Sequence, residues 1–198
     1  MNLICVIDKK TNGIGYKNDL LVRLKNDMIY FKNVTTKTSD DTKKNIVVMG
    51  KNTWYSIPKK YRPLTNRINI ILSKKSKKKI ETEIKKNNYV NTYVYSSPEI
   101  FLNNLKKIIY EKIFIIGGES IYNYFIINNL ISTLYITEII SNLNLKCDTY
   151  LLKIDFSDYN IVSKSSVIIE NNCYSPSLES NINEVQYIFI CYEKIKQL

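Results

Sequence analysis

The sequence predicts a single α/β domain: an eight-stranded, mostly parallel sheet with an antiparallel C-terminal strand, flanked by about four helices. Three observations carry this expectation. Short runs rich in Ile, Val and Tyr recur along the whole chain, and continuously apolar strands belong to sheets covered on both faces. Helical patterns lie between most of these runs, the arrangement of βα crossovers. No repeat, linker or low-complexity segment divides the 198 residues, so 1–198 reads as one domain with a sizeable core.

Taken in order, the expected strands are Leu3 to Ile7, Asn45 to Met49, Ile68 to Leu72, Tyr93 to Tyr95, Ile113 to Ile116, Leu134 to Ile139, Tyr159 to Lys164 and Tyr187 to Glu193. The expected helices are Leu24 to Asn33, Asn52 to Ile57, Pro98 to Tyr110 and Glu119 to Ile127. The third opens with Ser97 as N-cap, Pro98 at the first position and Glu99 in the first turn. The last two strands have no helix between them, so they are expected to pair antiparallel.

Composition narrows the function. The formal net charge is +11, which draws attention to nucleic acid. The chain is, however, rich in Lys, Asn, Ile and Tyr, all encoded by A/T-rich codons. Its densest basic stretch, Ser73 to Lys86, contains Glu81 and Glu83 and no aromatic residue to stack a base. It reads as a solvated face, and no nucleic-acid partner is expected. The four cysteines are scattered and form no C-x-x-C pair, as buried reduced thiols would be. With no histidine, the usual zinc and haem ligand is missing, and no metal is expected. No apolar run approaches the roughly 20 residues of a membrane span, and "MNLICVIDKK" lacks the features of a signal peptide. A cytoplasmic protein is expected.

In such a sheet, ligands bind outside the carboxyl ends of the strands. Gly50-Lys51-Asn52-Thr53, Ser73-Lys74 and Gly117-Gly118-Glu119-Ser120 all follow expected strands, and each offers amides, hydroxyls or an ammonium group to phosphate. Adjacent glycines let the backbone approach a bulky ligand, although a tight helix-packing turn uses them too. Gly117-Gly118 is not the G-x-G-x-x-G of a dinucleotide fold, although Glu138 follows about 20 residues on, where a ribose-binding acid would stand.

One carboxylate stands where apolar side chains are expected. Leu24, Asp27, Met28 and Phe31 fall at i, i+3, i+4 and i+7, a single helical face. Desolvation there raises a carboxyl pKa and suits it to acid or base work. A first-turn acid that reaches solvent fits the spacing as well.

The segments "NGIGYKNDLLVRLKNDMIYFKNVTT" from Asn12, "VVMGKNTWYSIPKKYRPLTNRINIILSK" from Val47, "IFIIGGESIY" from Ile113, "LYITEI" from Leu134 and "DTY" from Asp148 occur in order. Together they resemble the dihydrofolate reductase family, from near the N-terminus to the final strand "YIFICYEK". The most specific block is the G-K-x-T-W motif followed by I-P, R-P-L and R-I-N. No thymidylate synthase portion is expected, since the chain ends after that strand.

The resemblance implies NADPH-dependent reduction of dihydrofolate by a monomer, with antifolates such as methotrexate as inhibitors. It implies that Asp27 binds the pterin and promotes protonation at N5, supported by Thr137, with Leu20 and Tyr122 also at the reacting centre. Ile4, Cys5, Val6, Met28, Phe31, Lys32, Ile57, Leu64 and Ile116 would line the substrate, with Arg67 on the α-carboxylate of its glutamate tail. An apparent one-residue insertion before Gly13 leaves the first strand's alignment uncertain by one. Ile14, Lys51, Asn52, Thr53, Ser73, Lys74, Gly117, Gly118, Glu119, Ser120, Ile121 and Tyr122 would hold NADPH, with the 2′-phosphate at Ser73 and Lys74 and a cis peptide between the glycines.

Departures from the family pattern carry expectations of their own. Leu20-Leu21-Val22 replaces the family's L-P-W, so a looser loop is expected, with a gain in kcat/KM if Val22 is replaced by Trp. Leu152 stands where a proline commonly follows D-T-x-x. A degenerate relative acting as a basic binding protein is the competing reading, and a reductase of riboflavin synthesis is a weaker one, because Asp27 and Arg67 fit folate.

Overall fold

A computed structural model describes residues 1–195. Its centre is a parallel sheet of six strands: β1 (Asn2–Asp8), β3 (Asn45–Gly50), β4 (Arg67–Leu72), β5 (Thr92–Tyr95), β6 (Ile113–Ile115) and β7 (Thr133–Ile139), the label β2 belonging to Gly13–Gly15. They lie in the order β7-β1-β6-β3-β4-β5. Three antiparallel strands extend the β7 edge: β9 (Tyr159–Lys164), β10 (Ile168–Ser175) and β11 (Ser180–Lys194). The 15-residue β11 pairs β10 along its first half, and β7 and β9 along its second. A small separate ribbon joins β2 to β8 (Thr149–Tyr150).

The central strands are buried on both faces because both sides carry helices. In β3, Ile46 and Val48 face one cluster, with Phe101 and Phe125 beneath α4 (Pro98–Asn104) and α5 (Glu119–Ile127). Val47 and Met49 face the other, with Trp54 and Ile80 beneath α2 (Lys51–Ser56) and α3 (Lys77–Lys86), beside α1 (Lys25–Thr36). Trp54, Phe101 and Phe125 are fully buried, each worth about 1.5–3 kcal/mol of transfer free energy.

Every expected strand and helix is present, and β9 pairs antiparallel with β11 as anticipated. Among the described residues the main sheet has nine strands rather than eight, and there are five α-helices rather than four. The extra strand, β10, turns into β11 with Glu179 at φ 55° and no glycine. The extra helix, α3, is the lysine-rich stretch: its exposed face is solvated as expected, but Ile80 is fully buried and Ile84 packs beside it. The third expected helix stops at Asn104, whose side chain donates to the Ile100 carbonyl at 2.8 Å, and only a single 3-10 turn follows. Its start is as expected, with Ser97 accepting from the Ile100 amide at 3.4 Å.

If α3 is anchored by this apolar contact, Ile80→Ala should lower unfolding free energy by about 2–5 kcal/mol. Lys78→Ala on the exposed face should change it by less than about 0.5 kcal/mol. Denaturant unfolding of the two variants checks the difference.

Candidate active site

The α1 face read from the sequence as an apolar stripe packs against the sheet. Leu24 and Asp27 are 1 % and 5 % exposed, Phe31 is half-buried, and Thr35 completes the row at 0 %. Met28 lies off it, 44 % exposed on the rim, because the i+4 position of the pattern rotates past the contact. Asp27 therefore does not reach out to solvent. Its Oδ1 accepts from Thr137 Oγ1 at 2.6 Å. No lysine or arginine pairs with it among the described residues.

Burial pushes the Asp27 carboxyl up to about 6; the Thr137 hydrogen bond acts the other way, and the charge of Glu170 adds to the rise. The thiol and phenol beside Asp27 stay neutral. Burial raises the Cys5 thiol and the Tyr122 phenol, both of which also feel Asp27's charge. Tyr122 donates to the Ile4 carbonyl at 2.8 Å, which fixes α5 to β1.

The other end of the α1 face holds the complementary charge. Arg67 opens β4, is 5 % exposed, donates from Nη1 to Thr35 Oγ1 at 2.7 Å and from Nε to the Thr65 carbonyl at 3.0 Å. Its guanidinium lies 5.7 Å from the Phe31 ring centroid. Burial pushes its pKa down to about 10, so it remains charged at neutral pH. Among the described residues no carboxylate reaches it. Ile4 is buried, and Phe31, Ile57, Leu64 and Ile116 are half-buried members of the same apolar cluster. Val6 and Ile14 pack partly into the two other clusters, and Lys32 is exposed.

The strand ends β3 and β6 meet through Gly50 N–H donating to Gly117 O at 2.7 Å. Gly117–Gly118 is cis, with Gly117 at φ 110°. A Cβ on Gly117 would come within 3.1–3.2 Å of the Tyr122 ring, and one on Gly118 within 3.4 Å of Thr53 Oγ1. The starts of α2 and α5 thus sit side by side, and neither has a side-chain cap. Their free amides suit an anion. Lys51, Asn52, Glu119 and Ser120 are exposed along these starts and Ile121 is buried behind them. Ser73 and Lys74 follow β4, with Ser73 Oγ accepting from the Ser76 amide at 3.1 Å and Lys74 exposed.

The segment before α1 departs from expectation. Leu20 is 37 % exposed, but Leu21 and Val22 are 2 % and 3 % exposed in a third cluster with Leu24, Ile139, Val185 and Tyr187. Its backbone is held as well. Lys17 N–H donates to Asp148 Oδ2 at 2.8 Å, Arg23 N–H to Tyr174 O at 2.9 Å, and Ser175 Oγ to Leu21 O at 2.7 Å. Val22 is a core residue here, and the looser loop expected from the missing tryptophan is not found. Thr35 and Glu170, which place Arg67 and the start of α1, were not identified in the sequence.

The sequence model of the dihydrofolate reductase family matches residues 1–185. The chain belongs to the dihydrofolate reductase family. It is 44 % identical to the dihydrofolate reductase of Candida albicans over 145 residues, covering 72 % of this chain and 71 % of that one. It is 36 % identical to a putative dihydrofolate reductase of Caenorhabditis elegans over 173 residues, 87 % of each chain. Against the bifunctional dihydrofolate reductase-thymidylate synthase 2 of Arabidopsis thaliana, identity is 38 % over 85 % of this chain but 29 % of that protein. Dihydrofolate reductases reduce dihydrofolate with a nicotinamide cofactor, and this chain is an enzyme of that family. No helix among the described residues is long and apolar enough to cross a membrane.

For this dihydrofolate reductase family member, Val22→Trp should lower the melting temperature and leave kcat/KM no higher than before. Overpacking a filled core typically costs about 1–3 kcal/mol. Thermal melts and steady-state rates of the variant check this.

Proposed function

We propose that this protein reduces 7,8-dihydrofolate to 5,6,7,8-tetrahydrofolate with NADPH in the cytoplasm, as a monomer, supplying one-carbon metabolism and thymidylate synthesis. The observation that carries the reading is Asp27: a buried carboxylate bonded to Thr137, with no cation paired to it among the described residues, and with its pKa raised to about 6. A pterin offers an amino group and a ring N–H to such a carboxylate.

Each residue's part follows from its chemistry. Asp27 accepts hydrogen bonds from the pterin and raises the proton affinity of N5, and Thr137 holds its orientation. Ile4, Cys5, Val6, Met28, Phe31, Ile57, Leu64 and Ile116 form apolar walls that exclude water. Leu20 reaches over the reacting centre. Arg67, charged and without an acid partner among the described residues, takes the α-carboxylate of the glutamate tail in a bidentate grip, and Lys32 adds charge at the rim. Antifolates such as methotrexate present a related ring and tail to the same groups.

The residues on the cofactor side fit NADPH. Gly117 and Gly118 leave a cradle that Cβ atoms would fill. The amides at the starts of α2 and α5, with Lys51, Asn52, Thr53, Glu119, Ser120 and Ile121, line the place for the pyrophosphate. Ser73 and Lys74 supply a hydroxyl and a cation for the 2′-phosphate. Ile14 and Tyr122 would contact the cofactor on its nicotinamide side. When bound, NADPH supplies the hydride that reaches C6. The protein's share is alignment, a held proton site and a dry pocket.

The competing reading, a degenerate relative that acts as a basic binding protein, drew on Val22 and the +11 charge. The buried Asp27–Thr137 pair favours the reductase.

Two measurements test the proposal. Asp27→Asn should lower turnover of dihydrofolate at pH 7 by about 10²- to 10⁴-fold, with partial recovery on acidification and no rate inflection near 6. Unchanged turnover would sink the role given to Asp27. The same variant should be more stable than the parent at pH 7. A carboxyl whose folded pKa is raised, here from 3.8 to about 6, stabilises the fold below its unfolded value. That contribution is lost as pH rises through 6, and leaves a cost on the order of 3 kcal/mol at neutral pH. Denaturant unfolding should show the gain at pH 7 and none near pH 3.5. On the cofactor side, Lys74→Ala should raise KM for NADPH about ten-fold and leave KM for NADH unchanged; an equal effect on both would remove Lys74 from the 2′-phosphate site.

A further inference from the structure

We infer that Glu170, on β10, is a positioning residue for the reduction: it clasps the first turn of α1 from outside and sets where Asp27 stands. The inference rests on the reading of Asp27 as the acid of the site.

A helix leaves its first amides without partners, and a Ser, Thr, Asp or Asn at the N-cap usually takes one. The N-cap of α1 is Leu24, whose side chain has no acceptor, and no side chain of its own turn replaces it. Glu170, about 145 residues away in sequence, does so. Its Oε1 accepts from the Lys25 amide at 2.5 Å and its Oε2 from the Asn26 amide at 3.2 Å. The next residue of the turn is Asp27. Two adjacent amides bound by one carboxylate fix the rotation of that turn about its axis, and so the direction in which Asp27 projects towards Thr137.

The clasp itself is held. Tyr187 on β11 donates its hydroxyl to Glu170 Oε2 at 2.8 Å, and Glu170 pairs in register with Val185 across the hairpin. Tyr187 is fully buried in the cluster that also takes Val22 and Leu24. The β10–β11 hairpin is therefore a rigid bracket for the start of α1, and Glu170 is the part of it that reaches the helix.

Glu170 also carries charge to a place that has little else. The groups that sense or face Asp27 are Cys5 on β1, Tyr30 on α1, Tyr122 on α5, Thr137 on β7 and Tyr187 on β11. The thiol and the three phenols are held neutral by burial. Glu170 is the anion that raises Asp27's proton affinity, and Lys25 is the cation of the same turn. By occupying the positive end of α1, Glu170 weakens the stabilisation that the helix would otherwise give to Asp27's ionised carboxylate.

Position and charge separate in two variants. Glu170→Asp keeps the charge but is one methylene too short to span both amides; Glu170→Gln keeps the length and one acceptor but removes the charge. Hydride transfer would be followed in single turnovers with NADPH and dihydrofolate from pH 5 to 9, beside thermal melts and Asp27→Asn. Glu170→Asp should slow transfer at saturating substrates by about ten- to a hundred-fold, with KM for dihydrofolate changed less and the inflection kept. Glu170→Gln should move the inflection to lower pH. Parental rates and an unmoved inflection in both variants, with the inflection lost in Asp27→Asn, would overturn the inference while leaving Asp27's role intact. An inflection that survives Asp27→Asn would defeat the reading of Asp27, and the inference with it. If Glu170→Gln does not fold, the rate of Glu170→Asp decides alone: a parental value overturns the clasp.

Discussion

A carboxylate kept out of water, with no cation paired to it among the described residues, is the constraint around which the site is arranged. Asp27 is 5 % exposed and bonded to one hydroxyl, Thr137. Such a group holds its proton more tightly than in water, and the protein surrounds it with groups that cannot give it a countercharge. Cys5, Tyr122 and Thr137 come from three different elements, so the environment of one side chain depends on the correct packing of β1, α5 and β7. The order β7-β1-β6 in the sheet makes these contacts adjacent.

Most of the scaffold was legible because local patterns and tertiary demands agree. Strands such as "NIVVMG" are apolar throughout because helices cover both faces, and that shows directly in sequence. Asp27 was visible as a break in an apolar stripe. The parts that were missed carry their information elsewhere. The α3 helix looked like a run of lysines because only Ile80 and Ile84 touch the core. The turn before β11 has no glycine, and asparagine takes much of the glycine role here: Asn12, Asn18, Asn66, Asn88, Asn91, Asn129 and Asn172 all adopt positive φ. In a chain with 5 glycines, turns cannot be found by looking for them. Glu170 was out of reach for another reason. A helix cap supplied from 145 residues away leaves no local signal, only the odd absence of a capping residue at Leu24.

The Val22 segment shows how a family departure can be absorbed. Losing a tryptophan and a proline from a loop removes one way of holding it, and from sequence alone the consequence is slack. In the structure the small apolar side chains are drawn inward instead. Leu21 and Val22 join Leu24 and the β10–β11 hairpin, and backbone contacts to Tyr174 and Ser175 follow from that proximity. The substitution and the hairpin are parts of one packing solution.

That solution reaches the chemistry through α1. The helix is held at both ends by side chains from other elements. At its start Glu170 takes the Lys25 and Asn26 amides; at its end Asn45, fully buried at the head of β3, donates to the Thr35 and Lys37 carbonyls at 3.1 and 2.9 Å. Asp27 lies one residue inside the first clasp, and Thr35, which orients Arg67, accepts from it at the second. The two charged groups proposed to grip opposite ends of the substrate thus take their places from a single rigid helix. Fixing α1 at both ends sets their separation, so affinity for the tail and alignment of the ring are linked by construction.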